Sequence, residues 1–420
     1  MRDVVITGMG AVSGSGYSPE TIWGTLFQGK TSGLMPIHPE YHFDPDILRA
    51  NSSKHRRRNI PRLVSGVPAN NVQLGKLLGD REARRYSRTQ LLAGLAAKQA
   101  IEAAHLDMHD IAERFGYAGA ITGGDTAEAF AITQAALATT VVLPTEAMQY
   151  MSGILPNAVK NRYRLHGPYQ TEIGLCGASM NAIISALRII RNNEADAMLC
   201  VGSSATITPA FMTALAQIGL ITDETKTYQQ GRVGFHVGEG AAALILEAKS
   251  HAEDRRAKIY AHIAGYGIAG DGEPGSALTQ PSQIWGNMRA AKRALGMAGI
   301  QARKIGYVNS HGTGTPTGDV AELASINDWT DRQHPPYVSS TKPLTGHLFG
   351  AAGIFESMLT VQMLNHKIWL PTHGISTSFD SRCEFPGVRH LLQATPHDSR
   401  AAMKITSGFG GIHAALIFTK

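Results

Sequence analysis

The sequence predicts a layered α/β protein with helices packed on both faces of its sheets, and three observations carry that expectation. Strands alternate with helices along both halves of the chain. The halves share an order, namely strand, helix, strand, helix, then paired strands, although no repeat stands out by sequence identity. The residues best suited to chemistry fall in glycine-rich turns after strands, where open α/β sheets place their sites.

Taken in order, Val4–Thr7 reads as a short buried strand and Gly8-Met9-Gly10 as the turn leaving it. The pattern glances at a dinucleotide fingerprint and fails it: Ser13 stands at the third glycine position, and the next helix begins only near Pro19, with Ser18 as its cap. Residues 36–80 are irregular, basic and rich in Asn and Pro, as expected of a surface excursion. Ser87–His105 reads as an amphipathic helix, Ala118–Thr122 as a strand, and Ala127–Ala138 and Pro144–Arg162 as helical. Tyr169–Ile173 alternates as a buried strand would, and the run Met180–Arg191 has helical period. Another strand is expected over Ala197–Val201. Strands over Gly234–Glu247 and Lys258–Gly267 flank a charged connection, Lys249–Arg256, taken as the boundary between halves 1–252 and 253–420. In the second half follow a helix (Trp285–Met297), a strand (Ile305–Asn309), helices from Asp319 and from Gly350, and a closing strand, Ala414–Phe418.

Composition narrows the function classes. A chain of 420 residues is two to three times a typical domain, and 45 glycines imply many tight turns and close backbone approaches. Three cysteines, Cys176, Cys200 and Cys383, make no disulfide framework, so a reducing, cytoplasmic setting is expected. No apolar run reaches the length of a membrane span, and the start of the chain reads as a strand and not as a signal peptide. The net charge of +6 favours an acidic partner. Basic clusters at 54–58 and 81–88 come without an aromatic platform or a recognised motif, so no nucleic acid is expected.

Cys176 sits in Gly174-Leu175-Cys176-Gly177-Ala178-Ser179, on a strand-to-helix turn at the positive end of a helix dipole, a place that favours the thiolate. A lone cysteine there is equally a candidate structural residue. Two histidine motifs change the balance: Asn309-Ser310-His311-Gly312-Thr313-Gly314-Thr315 and Lys342-Pro343-Leu344-Thr345-Gly346-His347. Each places an imidazole beside glycine in a loop after a strand, where the backbone can approach a ligand closely.

With these motifs the chain resembles the β-ketoacyl-(acyl carrier protein) synthases of fatty-acid elongation and type II polyketide synthesis, over nearly its whole length. The opening Val4-Val5-Ile6-Thr7-Gly8-Met9-Gly10, Gly167-Pro168, Gly234-Phe235 with Gly238-Glu239-Gly240, and Gly408-Phe409-Gly410-Gly411 belong to the likeness. So does the offset of Cys176 from Arg188 and Asp196. The resemblance implies the thiolase-like fold, layered α-β-α-β-α and built from two similar halves. It implies decarboxylative Claisen condensation, in which Cys176 takes an acyl chain from a carrier protein and a carbanion from malonyl-carrier protein attacks it. His311 and His347 are then expected to stabilise enolate charge, Lys342 and Glu356 to pair in support, and the backbone N–H groups of Cys176 and Phe409 to form the oxyanion hole. Thr313 and Thr315 match the positions that bind the phosphopantetheine arm, and Leu215 falls in the acyl pocket. No metal and no cofactor beyond the carrier's phosphopantetheine is implied. The partners implied are an acyl carrier protein, docked on basic residues such as Arg56–Arg58 and Arg84-Arg85, and a second ketosynthase chain in a homodimer or heterodimer.

The chain departs from the family pattern around these residues. The family follows its Cys with x-Ser-Gly, where this chain has Gly177-Ala178-Ser179. Ile405-Thr406-Ser407 replaces Asn-Ser-Phe, Ile412-His413 replaces Thr-Asn, and Arg232-Val233-Gly234-Phe235 is all that remains of Asp-Arg-Asp-Gly-Phe. These changes favour a specialised polyketide substrate over a primary fatty acid. The rival readings are a chain-length-determining or non-condensing partner subunit, a decarboxylase variant, a thiolase and a pure binding module. The first two usually lack the Cys. Thiolases carry a second Cys near the carboxyl terminus, absent from Ser407–His413, and a binding module leaves the Cys and the two His motifs unexplained.

Overall fold

The computed structural model describes residues 2–30, 34–36, 61–79, 86–107, 111–122, 154–272 and 285–420. The expected helix over Ala127–Ala138 and the basic clusters 54–58 and 81–85 lie outside the described residues, and Pro144–Arg162 is described only as the helix Ile154–Arg162.

The first half orders its strands Val4–Ser13, Gly240–Ala248, Ala197–Ser204, Phe115–Ile121, Tyr169–Ile173. Numbered along the chain within that half, this is the order 1-5-4-2-3, with 1-5 and 5-4 antiparallel and 4-2 and 2-3 parallel. The second half runs Ala261–Gly270, Ile412–Thr419, Ala401–Gly408, Tyr307–Asn309, Tyr337–Ser339, which is again 1-5-4-2-3 with the same directions. The short strand Arg389–His390 adds to its far edge. The two halves join where Val5 and Ile6 pair with His262 and Ala261. The shared element order expected from the sequence is therefore a shared topology, present without sequence identity because only the buried pattern has to repeat.

Three apolar cores define five layers. One outer core packs the helix Arg88–Ala104 on the first sheet, and the other packs Trp285–Ala298 and Gly318–Trp329 on the second. Between the sheets lies a core built on the helices Ala178–Arg191 and Ala352–His366 together with strands of both halves. Ala352–His366 is buried from Ala352 through Leu364, with no polar face left to water, as a helix sandwiched between two sheets requires. This α-β-α-β-α arrangement is the predicted fold class.

Local signals place most elements. Ser18 and Ser87 each cap a helix with reciprocal capping-box bonds, to Thr21 and Gln90. Two expectations are corrected. Gly8-Met9-Gly10 is no turn but part of a ten-residue strand, Val4–Ser13. Its glycines let the helix Arg88–Ala104 lie against the strand, since a Cβ on Gly8 or Gly10 would stand 2.1 or 2.0 Å from the carbonyl oxygens of Ala100 and Ala96. Tyr169–Ile173 is not buried: it ends the sheet order, and Tyr169 and Ile173 are 64% and 57% exposed.

Candidate active site

In each half the central helix that follows the third strand opens on a 3₁₀ turn, Leu175–Gly177 in one and, after the short helix Lys342–Thr345, Phe349–Ala351 in the other. Both turns open on a non-glycine residue in the left-handed region, Leu175 at φ 46° and Phe349 at φ 42°. Such a conformation costs of order 1–3 kcal/mol and persists where surrounding packing enforces it. The two helix starts are stitched together. Ile354 N–H donates to Ser179 Oγ at 3.2 Å, and Gly350 N–H donates at 3.1 Å to Thr122 Oγ1, just past the strand Phe115–Ile121. A Cβ on Gly353 would meet Met180 Cγ at 2.6 Å, so the helices can approach this closely only through glycine. The unusual Ser179 thus has a structural task, capping the helix of the other half.

This convergence brings Cys176 and His347 together, with Sγ 2.9 Å from Nε2. His311, on the loop after Tyr307–Asn309, completes the cluster with its ring 5.3 Å from that of His347. The ligand atoms of Cys176, His311 and His347 lie within 4.8 Å of one another, a spread compatible with a shared reacting group and also with a metal ion. One pocket is lined by all three and by Thr313, Thr315 and Phe409. Phe409 follows Gly408, whose Cβ position lies 3.9 Å from Cys176 Cβ. Leu215 belongs to the apolar cluster that holds Cys176, Phe235 and Phe349, but it does not line this pocket.

Lys342 and Glu356 sit behind the pocket, fully buried. Lys342 Nζ donates to Glu356 Oε1 at 2.5 Å and to the His311 carbonyl at 2.6 Å. A second cation, Lys404, which sequence reasoning missed, stands 2.5 Å from Glu356 Oε2 and donates to the Ser310 carbonyl at 3.0 Å. Its signal is a lysine among the apolar residues Ala401, Ala402, Met403 and Ile405 of the strand Ala401–Gly408, which needs a buried partner. Only the last strand of this closing pair, Ile412–Thr419, was anticipated. Glu322 was also missed; its carboxylate accepts the backbone N–H groups of His311 at 2.5 Å and Gly312 at 2.8 Å. Asp319 holds the same loop by accepting Gly314 N–H at 3.0 Å and Tyr228 N–H at 2.9 Å.

Electrostatics define the resting state. Burial, reinforced by the Lys342 cation, holds both imidazoles well below their ordinary pKa, so both are neutral at pH 7. Burial pushes Lys404 down to about 8, partly opposed by Glu356. Burial would raise Glu356, but Lys342 and Lys404 together hold it below its usual value. The hydrogen bonds fix the tautomers. Phe349 N–H donates to His347 Nδ1 at 3.3 Å, which leaves the proton on Nε2, facing the sulfur. Thr406 Oγ1 donates to the Cys176 carbonyl at 3.4 Å and so accepts from His311 Nδ1 at 3.3 Å, leaving His311 Nε2 bare. One imidazole therefore presents a donor to the pocket and the other a lone pair.

The thiol contradicts the sequence expectation. Burial pushes Cys176 up to about 12, against the downward pull of Lys342. A helix terminus supplies about 0.3–1 kcal/mol, under one pKa unit, and desolvation of a fully buried group outweighs it. Cys176 is accordingly a thiol at rest. Its inactivation by iodoacetamide is expected to be slow at pH 7 and to climb through pH 10 without a plateau. A plateau already reached below pH 7 would mean a resting thiolate and would contradict this electrostatic picture.

A buried thiol flanked by an imidazole donor and an imidazole acceptor, at the strand ends of a doubled α/β layer, defines a thiol-dependent acyl-transfer centre. Comparison with known proteins places it. The family models "Beta-ketoacyl synthase, N-terminal domain" and "Beta-ketoacyl synthase, C-terminal domain" match residues 1–252 and 260–376. A 3-oxoacyl-[acyl-carrier-protein] synthase 2 of Staphylococcus aureus (strain N315) is 32% identical over 100% of this chain and 98% of its own length. Among solved structures, a beta-ketoacyl synthase from Burkholderia phymatum STM815 superposes with a TM-score of 0.86 at 26% identity, covering 100% of both chains. The ishigamide ketosynthase/chain length factor does so at 0.86 and 26%, covering 100% of this chain and 99% of its own. The chain belongs to the β-ketoacyl synthase family, and it is a condensing enzyme of the acyltransferase type. No helix among the described residues is long and apolar enough to cross a membrane.

Proposed function

We propose that the protein condenses an acyl chain held on Cys176 with malonyl-acyl carrier protein, in type II polyketide synthesis of a specialised product. The observation that carries this reading is the Cys176–His347–His311 cluster with one N–H and one lone pair turned to the pocket. In the first half-reaction Cys176 Sγ attacks the incoming thioester. The His347 Nε2–H bond and two helix starts favour the thiolate as it forms, and the thiol proton leaves with the departing phosphopantetheine thiol. The N–H groups of Cys176 and Phe409 receive the tetrahedral oxyanion.

In the second half-reaction malonyl thioester loses its carboxyl group, and enolate charge builds on its thioester oxygen. His347 Nε2–H donates to that oxygen, while His311 Nε2 takes a proton from the water that adds to the departing carboxyl group, which leaves as bicarbonate. The enolate carbon then attacks the acyl carbonyl on Cys176, the acyl–sulfur bond breaks, and the expelled Cys176 thiolate recovers the proton held by His311. Lys342 and Lys404, paired with Glu356, donate to the carbonyls of His311 and Ser310 and so hold the histidine loop in place behind the pocket. Thr313 and Thr315 hold the phosphopantetheine arm, and Leu215 shapes the acyl end. No resident metal or cofactor enters any step.

The partners in this reading are an acidic acyl carrier protein and a second ketosynthase-like chain, paired along the open sheet edge Tyr169–Ile173. A cytoplasmic location suits such partners. The two halves, 1–252 and 253–420, act as one unit because Cys176 belongs to the first and both histidines to the second. The specialised pathway is favoured by the departures at Ser407 and His413 and by the likeness to a ketosynthase/chain length factor.

The test is intact-mass spectrometry after incubation with acyl-carrier proteins of several chain lengths. An acyl adduct is expected on the wild type and none on Cys176→Ala; no adduct at any length would point to a non-condensing subunit.

A further inference from the structure

The pocket of Cys176 has a polar wall that none of these steps uses. Asn287, Ser407 and His413 line the pocket together with the apolar Phe235 and Phe409. Ser407 and His413 face each other in register across the closing hairpin, where the family pattern has Phe and Asn. Ser325 Oγ donates to Asn287 Oδ1 at 3.0 Å, Asn287 Nδ2 donates to Ser407 Oγ at 3.0 Å, and Ser407 Oγ stands 3.0 Å from His413 Nδ1. All four side chains are buried. His413 Nε2 lies 3.0 Å from Asp271 Oδ1 but off the line of a directed hydrogen bond. Among the described residues, His413 Nε2 and Asp271 Oδ2 are buried without a hydrogen-bond partner. Asn287 Nδ2 also keeps a second N–H, and Ser407 Oγ, when it donates to His413 Nδ1, keeps a lone pair. Spare donors and acceptors in a buried wall are costly unless something pairs with them.

We propose that Asn287, Ser407 and His413 select an acyl chain bearing a hydroxyl or keto oxygen a few carbons from its thioester, over a plain hydrocarbon chain of the same length. The inference rests on the ketosynthase reading and names the substrate class of that site. Position favours it: Gly408, next to Ser407, packs against Cys176, so the wall meets the part of the chain nearest the sulfur. A phenylalanine at position 407 would close this wall to oxygen. With serine there, Asn287 keeps an N–H donor and Ser407 Oγ an acceptor for such an oxygen.

The experiment follows acylation of Cys176 by intact mass, with pantetheine thioesters of octanoate, β-hydroxyoctanoate, δ-hydroxyoctanoate and β-ketooctanoate. The wild type is expected to favour at least one oxygenated chain over octanoate by about tenfold, the worth of one neutral hydrogen bond. Ser407→Ala and Asn287→Ala, measured separately so that either reports if the other misfolds, should each bring that ratio towards one. A role confined to bracing the hairpin would slow all chains alike and leave the ratio unchanged. A wild-type ratio near one, or a ratio unmoved by both substitutions, overturns the inference. Failure of every thioester to acylate Cys176 would instead overturn the ketosynthase reading, and this inference with it.

Discussion

His347→Ala is expected to slow the condensation step by about 10²–10³-fold, the usual cost of one preorganised oxyanion donor. Acyl loading should fall much less. The two steps ask different things of the same nitrogen. During loading, Nε2–H sits 2.9 Å from Cys176 Sγ and eases formation of the thiolate, alongside two helix starts that remain in the variant. During condensation, it is the one tautomer-fixed N–H turned towards the developing enolate, because His311 Nε2 carries no proton. Preloading Cys176 and then adding malonyl thioester in a single turnover separates the steps. Equal losses in both would remove the enolate role and leave His347 as an aid to the thiol alone.

Glu356→Gln should be the most damaging substitution to stability near the site. One carboxylate serves two fully buried ammonium groups at 2.5 Å each. Removing the charge leaves both cations without their counter-ion, which costs about 3–5 kcal/mol where a buried pair is broken. The loss should depend on pH with a definite sign. Lys404 has a folded pKa of about 8, below its unfolded value, so the wild type takes up this proton as pH falls through about 8. The variant has lost the attraction that makes uptake tolerable and takes up the proton only at lower pH. The stability gap between the two proteins should therefore widen on going from pH 9 to pH 7. Urea unfolding at both values measures it, and an equal gap would show that Lys404 is not held by Glu356.

Cys176 and the two histidines were legible in the sequence because they announce themselves locally, by glycine-flanked motifs in turns after strands. The doubled fold was legible through element order, since buried strands and helices keep their periods whatever their identities. What could not be read came from contacts between distant segments. Gly8 and Gly10 belong to a strand because a helix some ninety residues later presses on it. Tyr169–Ile173 has the alternation of a buried strand yet ends the sheet, and alternation does not say whether a strand lies inside a sheet or at its edge. The thiol's resting state depends on burial, which outweighs the helix-start position visible in the sequence. Lys404 and Glu322 lacked a motif; their roles follow from the chain bringing them behind His311.

The sharpest measurement on the whole account is a chase of the acyl-enzyme. Cys176 is loaded with a defined acyl group, freed of excess donor and mixed with malonyl-carrier protein labelled at its central carbon. The expected result is loss of the adduct mass from Cys176, release of the malonyl carboxyl group as bicarbonate, and a β-ketoacyl thioester two carbons longer with the label between its carbonyl groups. An adduct that persists while malonate is consumed, or one released as free acid with malonyl thioester intact, would contradict condensation at this cysteine.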